Sequence, residues 1–271
     1  MKLTVLVDNY TNIDEYYLGE PGVSYYIEDT DATVLFDTGY SDILLRNAEA
    51  LHKEMTRVSK IVISHGHDDH TRGLKFMQQE GLLTGKEIIA HPDTFWKKES
   101  DGLSIGAPFS EEELCKITKL TLVREPIKIS EHLTYLAEIP QVNAFEKRKI
   151  IGKMRKNGVE QDDYVKEDSA LVYKGTRGLT IITGCSHSGI CNIIEYAKKV
   201  CGDDRIEGII GGFHLLETTM TPRLQETIAY FQKNHIQNLS PCHCVSFEAK
   251  AYIHQAIPIH TVGVGMQMEV I

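Results

Sequence analysis

No apolar run in this chain approaches the roughly 20 consecutive residues that a membrane-spanning helix needs, so no membrane partner is expected. The opening stretch Met1-Lys2-Leu3-Thr4-Val5-Leu6-Val7-Asp8 lacks the long apolar core and small-residue cleavage site of a secretory leader. It reads as a first strand, and a cytoplasmic location is the expectation. An excess of positive charge is also missing. Lys and Arg number 29 against 38 Asp and Glu, a formal net charge of −9. That argues against broad nucleic-acid binding, which needs a basic footprint, but leaves room for a local basic pocket. Low-complexity tracts and short-period repeats are absent, which excludes solenoids and repeat arrays. A disulfide framework is not expected either. Cys115, Cys185, Cys191, Cys201, Cys242 and Cys244 lie in a 271-residue chain without a secretion signal and read as thiols. Around Ser186 the chain reads Gly184-Cys185-Ser186-His187, without the Gly-x-Ser-x-Gly elbow of a serine hydrolase, so Ser186 is a poor nucleophile.

Histidine, by contrast, is plentiful, and its placement is uneven. Of 12 histidines, three fall in Ser64-His65-Gly66-His67-Asp68-Asp69-His70, directly after the apolar run Lys60-Ile61-Val62-Ile63. A buried strand opening into a ligand-dense loop presents a metal site at a sheet edge. His65 and His67 are two apart, so in extended backbone their side chains leave on the same side. Asp69 and His70 follow where the chain turns into a helix. Four ligands in two pairs exceed what one tetrahedral ion needs from one loop, and the spacing points to two adjacent divalent ions.

Two ions need ligands from elsewhere. Thr183-Gly184-Cys185-Ser186-His187-Ser188-Gly189 follows the strand-like Leu179–Ile182. A Cys185 thiolate and a His187 imidazole both suit zinc, although Cys185 reads equally well as a small buried thiol. Ser240-Pro241-Cys242-His243-Cys244 follows another apolar run. A separate structural zinc there would need a fourth ligand nearby, and none stands out, so His243 is read as closing the shared site. Gly211-Gly212-Phe213-His214 offers His214 either as a ligand or as a substrate contact beside the metals. Asp37, in Leu35-Phe36-Asp37-Thr38-Gly39, can accept from the far ring nitrogen of a ligand histidine, or form an ordinary Asx turn.

Strand-like runs recur at Leu3–Val7, Val23–Ile27, Thr33–Phe36 and Lys60–Ile63, and again at Ser169–Tyr173, Leu179–Ile182 and Glu207–Ile210. Amphipathic stretches lie between them at Ser41–Leu51, Thr71–Gln79, Ser110–Lys116, Asn192–Val200 and Arg223–Lys233, with a capping box at Ser110-Glu111-Glu112-Glu113. Strands followed by helices in each half predict an α/β (α+β) chain of two face-to-face sheets with helices outside. The stretch 146–167 differs. It carries Lys147, Arg148, Lys149, Lys153, Arg155 and Lys156 with few apolar anchors, and reads as an exposed insertion in a single domain spanning 1–271. As such it is a solvated connection, or a mobile lid whose cations reach an anionic substrate.

Together these residues resemble the metallo-β-lactamase fold superfamily, whose His-x-His-x-Asp-His loop is matched by His65, His67, Asp69 and His70. Within it the chain looks like the 7,8-dihydropterin-6-methyl-4-(β-D-ribofuranosyl)aminobenzene-5′-phosphate synthase-like subgroup. The matching segments are Gly22–Tyr25, Leu35–Gly39, Ser64–Leu74, Ala107–Ser110, Glu138–Pro140, Thr183–Gly189, Gly211–Leu215 and Cys242–Cys244. The resemblance implies a four-layer αββα sandwich. It also implies that His65, His67, Asp69, His70 and His243 are ligands, with Cys185 or His187 completing the set, and it matches Asp37 to the superfamily's early strand-end Asp. There are departures. Arg72 stands where glycine is more usual, placing a cation beside the site. Cys244-Val245-Ser246 replaces Cys-Thr-Gly, and Glu138 occupies a position where many members carry histidine. With His67 rather than glutamate in the loop, a hydrolytic zinc-type or manganese-type site is expected over a redox di-iron one, and the native metal stays open among zinc, manganese and iron.

The function expected is hydrolysis of a small anionic substrate, phosphorylated or a cyclic ester. Asp69 would orient the nucleophile, and His214 or Arg72 would steady developing negative charge. The synthase reaction of the subgroup, releasing pyrophosphate, is the alternative within enzymes. A non-catalytic metal-binding sensor is the alternative outside them. A homo-oligomer is compatible with all three.

Overall fold

The structure, a computed structural model, describes residues 1–271. A seven-stranded sheet runs in the order Gln267–Glu269, Lys2–Val7, Ser24–Glu28, Thr33–Phe36, Lys60–Val62, Glu87–Ala90, Lys119–Leu122. Its first three junctions are antiparallel and its last three parallel. A six-stranded sheet runs Leu239–Pro241, Ile206–Gly211, Leu179–Thr183, Ala170–Lys174, Leu133–Tyr135, Ile127–Lys128.

The strand period of two sorts side chains between layers. In Thr33–Phe36, Val34 and Phe36 point into the space between the sheets, where they join Leu3, Val5, Tyr25, Tyr135, Leu171 and Ile182. Leu35 points the other way, against Leu44 and Ala48 of helix Ile43–Ala50 and Leu74 and Met77 of helix Gly73–Gln79. On the far face of the second sheet, Ile181 and Ile209 meet helices Ile190–Cys201, Pro222–Lys233 and Phe247–Ala256 through Ile193, Leu224, Phe231 and Ile253. The layers are therefore helix, sheet, sheet, helix. The Ser110 capping box is present, with Glu113 N–H on Ser110 Oγ and Ser110 N–H on the Glu113 carboxylate. No helix is long and apolar enough to cross a membrane.

The stretch 146–167 departs from expectation. Gly152–Lys156 and Val159–Asp163 form a hairpin that joins Lys97–Ser100 and Leu103–Ser104 in a four-stranded sheet. Asn157 and Gly158 turn it with φ of 51° and 80°, the two left-handed residues of a type I′ turn. Its outer side chains are exposed, as expected, but Glu146, Asp163 and Glu167 are buried. Charge anchors the segment where apolar side chains do not. Its cations also find partners of their own: Lys153 pairs with Asp162 at 2.6 Å, Lys156 with Asp93 at 2.6 Å and Arg155 with Glu160 at 3.7 Å. Lys153, Arg155 and Lys156 are thus tied to the sheet rather than carried on a free lid.

Candidate metal centre

Parallel strands carry their carboxyl ends to the same edge of a sheet. Thr33–Phe36 pairs in parallel with Lys60–Val62, and Leu179–Thr183 with Ile206–Gly211, which pairs in parallel with Leu239–Pro241. The segments that leave these ends carry Asp37, His65 to His70, Cys185 to His187, His214 and His243, and they meet at one edge of the sandwich. Asp37, Ser186, His214 and His243 all have left-handed backbone, with φ of 57°, 61°, 47° and 51°.

Their donors fall into overlapping groups, each with ligand atoms within 4.8 Å of one another. One holds Asp69, His70, Cys185 and His243; a second His65, His67 and Asp69; a third His65, Cys185 and His187. His65 Nε2 lies 3.1 Å from His67 Nδ1, and the His187 ring centroid is 4.8 Å from His65 and 5.0 Å from His67. On the other side His70 Nε2 is 3.2 Å from Cys185 Sγ, and Asp69 Oδ2 lies 3.2 Å from His243 Nε2 and 3.5 Å from His70 Nε2. Both Cys185 and His187 are thus part of the cluster, where the sequence left a choice between them.

Asp37 is fully buried. Its Oδ1 accepts the Ser64 N–H at 2.7 Å, and its Oδ2 accepts the Ser64 hydroxyl and His70 Nδ1, each at 2.7 Å. A carboxylate oxygen is an acceptor, so His70 presents its Nδ1 N–H to Asp37 and faces Cys185 and Asp69 with Nε2. His243 is held by Asp8, which accepts its N–H at 2.9 Å, and by Asn9, 3.0 Å from Nδ1.

The electrostatics differ across the cluster. Burial pushes His65 and His187 well below the usual histidine range, with His70 and His214 respectively adding to it. Burial and Lys98 push His67 down to about 4. These imidazoles are neutral, the form that ligates metal. At His70 burial acts downward, but Asp69 and Asp37 outweigh it and hold the ring well above its ordinary range. Burial also raises the Cys185 thiol, with Cys244 adding to it.

The donor set fits metal ions. Buried His67 Nε2, His187 Nε2 and His214 Nδ1 have no hydrogen-bond partner, a costly state for polar atoms unless a ligand takes their lone pairs. Three further positions sort themselves out. Cys242 turns into the core, its thiol 3.2 Å from Tyr25 Oη, so the Cys-His-Cys segment builds no separate site. Cys244, not foreseen, groups with Cys185 and His214, and the His214 ring lies 4.2 Å from that of His187. Glu138 stands outside the donor groups, 2.9 Å from Arg124 and 3.3 Å from His91. Arg72 is not among the donors. Its guanidinium lies over the Tyr40 ring at 4.4 Å, and with Lys75 it lines a cavity of about 560 Å³ that reaches Asp68 of the ligand loop.

The chain is 34% identical over 254 residues to an uncharacterised protein of Methanocaldococcus jannaschii, covering 93% of this chain and 94% of the relative. It is 30% identical to the 7,8-dihydropterin-6-methyl-4-(β-D-ribofuranosyl)-aminobenzene-5′-phosphate synthase of the same organism, covering 92% and 89%. A solved metal-dependent hydrolase of the β-lactamase superfamily superposes with a TM-score of 0.84 at 28% identity, covering 100% of this chain and 99% of that one. Residues 18–199 match the family model itself, and the chain belongs to the metallo-β-lactamase superfamily.

Proposed function

We propose that the protein is a binuclear metal-dependent hydrolase of a small anionic substrate, a phosphorylated compound or a cyclic ester. The observation that carries the reading is the overlap of the donor groups: Asp69 belongs to two of the four and Cys185 to three, so they link His65, His67 and His187 on one side to His70 and His243 on the other. A thiol with several imidazoles suits zinc better than the oxygen-seeking ions. When bound, such ions supply Lewis acidity and water acidified toward neutrality.

The chain's own residues do the rest. Asp69 is the donor carboxylate with solvent access, its side chain 28% exposed. Asp69 would orient the attacking water by accepting a hydrogen bond from it. His214, its ring 4.2 Å from that of His187, would donate to negative charge developing on the substrate, the role of an oxyanion donor. Arg72 and Lys75, in the wall of the cavity that reaches Asp68, would attract the anion. Water adds to phosphorus or carbonyl carbon, the ester oxygen departs, and the proton follows it.

The identity to the Methanocaldococcus synthase favours a second reading, in which the same site serves a synthase reaction. Elemental analysis with a turnover screen over phosphodiesters, phosphomonoesters and lactones separates these. Two metal equivalents and hydrolysis of an anionic ester support the proposal. One equivalent or none after reconstitution overturns the binuclear site, and two equivalents without hydrolysis of any ester move the assignment to the synthase or to a sensor.

A further inference from the structure

Behind the ligand loops lies a group of charges that the chemistry above does not use. Lys98, Asp163, Glu167 and Asp168 are each at most 2% exposed. Lys98 Nζ lies 2.7 Å from Asp163 Oδ2 and 2.7 Å from Glu167 Oε1. The same Glu167 Oε1 accepts the Gly66 N–H at 3.4 Å, and Gly66 sits between His65 and His67. The next residue, Asp168, accepts the Ser188 N–H at 2.8 Å through Oδ2, and Ser188 follows His187. Two consecutive carboxylates thus hold backbone amides adjacent to three histidines that come from two loops, one from each large sheet.

The fit is close. A Cβ on Gly66 would lie 2.1 Å from the Thr94 carbonyl oxygen and 2.9 Å from Lys98 Cε, so this glycine lets the loop press onto Lys98. Asp163 Oδ1 accepts the Val165 N–H at 2.9 Å, and the Asp168 N–H reaches the Val165 carbonyl at 3.1 Å. That turn aims both carboxylates. As a device for stability the group is poor. Buried ion clusters cost desolvation that well-packed apolar side chains avoid, and Glu167 Oε2 and Asp168 Oδ1 have no hydrogen-bond partner. The other histidines have different supports: His70 rests on Asp37, and His243 on Asp8 and Asn9.

We propose that Glu167 and Asp168, with Lys98 fixing Glu167, are positioning residues for one half of the centre. They hold His65, His67 and His187, the ligands this half does not share, while Asp69 and Cys185 are common to it and to the half built on His70 and His243. The proposal rests on the binuclear reading. Its consequence is that the hairpin carrying Asp163 reports directly on one metal and not on the other.

Zinc affinity is measured stepwise by competition with a chromophoric chelator in wild type, Glu167→Gln, Asp168→Asn and Lys98→Met. His67→Ala and His243→Ala mark which step belongs to which half. Loss of a group that orients a metal ligand lowers metal affinity about 10- to 100-fold. The expected result is that drop in the step marked by His67, in all three variants, with the step marked by His243 unchanged. Equal weakening of both steps, or of neither, overturns the proposal. Far-ultraviolet dichroism of the metal-free proteins is the control. If Glu167→Gln and Asp168→Asn both fail to fold with and without zinc, the pair is structural and the proposal is also overturned. A wild type that binds a single equivalent instead overturns the binuclear reading, so the two failures are distinct.

Discussion

Asp37→Asn isolates the carboxylate beneath His70 from everything else at that position. Asparagine tolerates left-handed backbone much as aspartate does, so φ of 57° adds no new strain. The side chain keeps its size but exchanges one acceptor for an NH₂ donor. In one orientation that donor faces the Ser64 N–H, which Asp37 Oδ1 accepts at 2.7 Å. A buried amide is then left without an acceptor, at about 1–3 kcal/mol. In the other orientation the NH₂ faces Ser64 Oγ and His70 Nδ1, both 2.7 Å from Asp37 Oδ2. Folding then suffers less, but His70 must accept on Nδ1 and carry its proton on Nε2, the nitrogen that faces Cys185 and Asp69. The variant therefore loses about 1–3 kcal/mol of metal-free stability, or about 10- to 100-fold in zinc affinity, or shares the loss between the two. Urea denaturation with chelator present measures the first, and chelator competition the second. A variant that matches wild type in both would refute the argument that this carboxylate sets the His70 tautomer.

Three further outcomes test other parts of the structure. Glu146 accepts the N–H groups of Cys191 and Asn192 at 3.0 and 2.8 Å, at the start of helix Ile190–Cys201; Glu146→Ala should cost about 1–3 kcal/mol in urea denaturation, and an unchanged midpoint would show those amides satisfied otherwise. At Asp93 burial acts upward, but Lys156, His91 and Arg124 together outweigh it and hold the carboxyl below its ordinary range. Its stabilisation is thus present above the unfolded value of about 3.9 and lost as pH falls through the lower folded value. The stability gap between wild type and Asp93→Asn should close at acid pH, and a gap constant from pH 7 to 3 would contradict the pairing. Phe213 is fully buried, its ring 6.0 Å from that of Phe231; Phe213→Ala should cost about 3–5 kcal/mol, and a loss under about 1 kcal/mol would mean that core repacks freely.

The cluster of candidate donors was legible in the sequence because metal chemistry draws unusual residue types into short loops at strand ends. His65, His67, Asp69 and His70 announce themselves, and the second and third loops follow the same grammar. The two sheets were legible from short β-branched runs. The four-stranded sheet was not. Lys153 and Arg155 alternate with Met154 and mask a strand, although Asn157-Gly158 is a hairpin turn in plain view. Helix Phe247–Ala256 was missed because its apolar stripe is thin, with Ala249 and Ile253 its buried residues. The Glu167-Asp168 pair resisted prediction for a different reason. Acidic neighbours in sequence read as solvated, and only the tertiary fold brings Lys98 and the two amides to them. Arg72 was anticipated beside the site, but its stacking on Tyr40 depends on a contact 32 positions away that no local pattern encodes.

The left-handed backbone at Asp37, Ser186, His214 and His243 carries an energetic cost. Non-glycine residues held there carry of order 1–3 kcal/mol of strain each, toward the lower end for Asp and His, which tolerate the region best. Summed over four positions this rivals the net stability of an ordinary domain, about 5–15 kcal/mol. The edge that gathers the ligands is therefore a loaded spring, kept bent by the two sheets beneath it. Selection for hardiness and selection for catalytic skill would pull these four residues in opposite directions, because relaxing the backbone there releases the side chains from their aim.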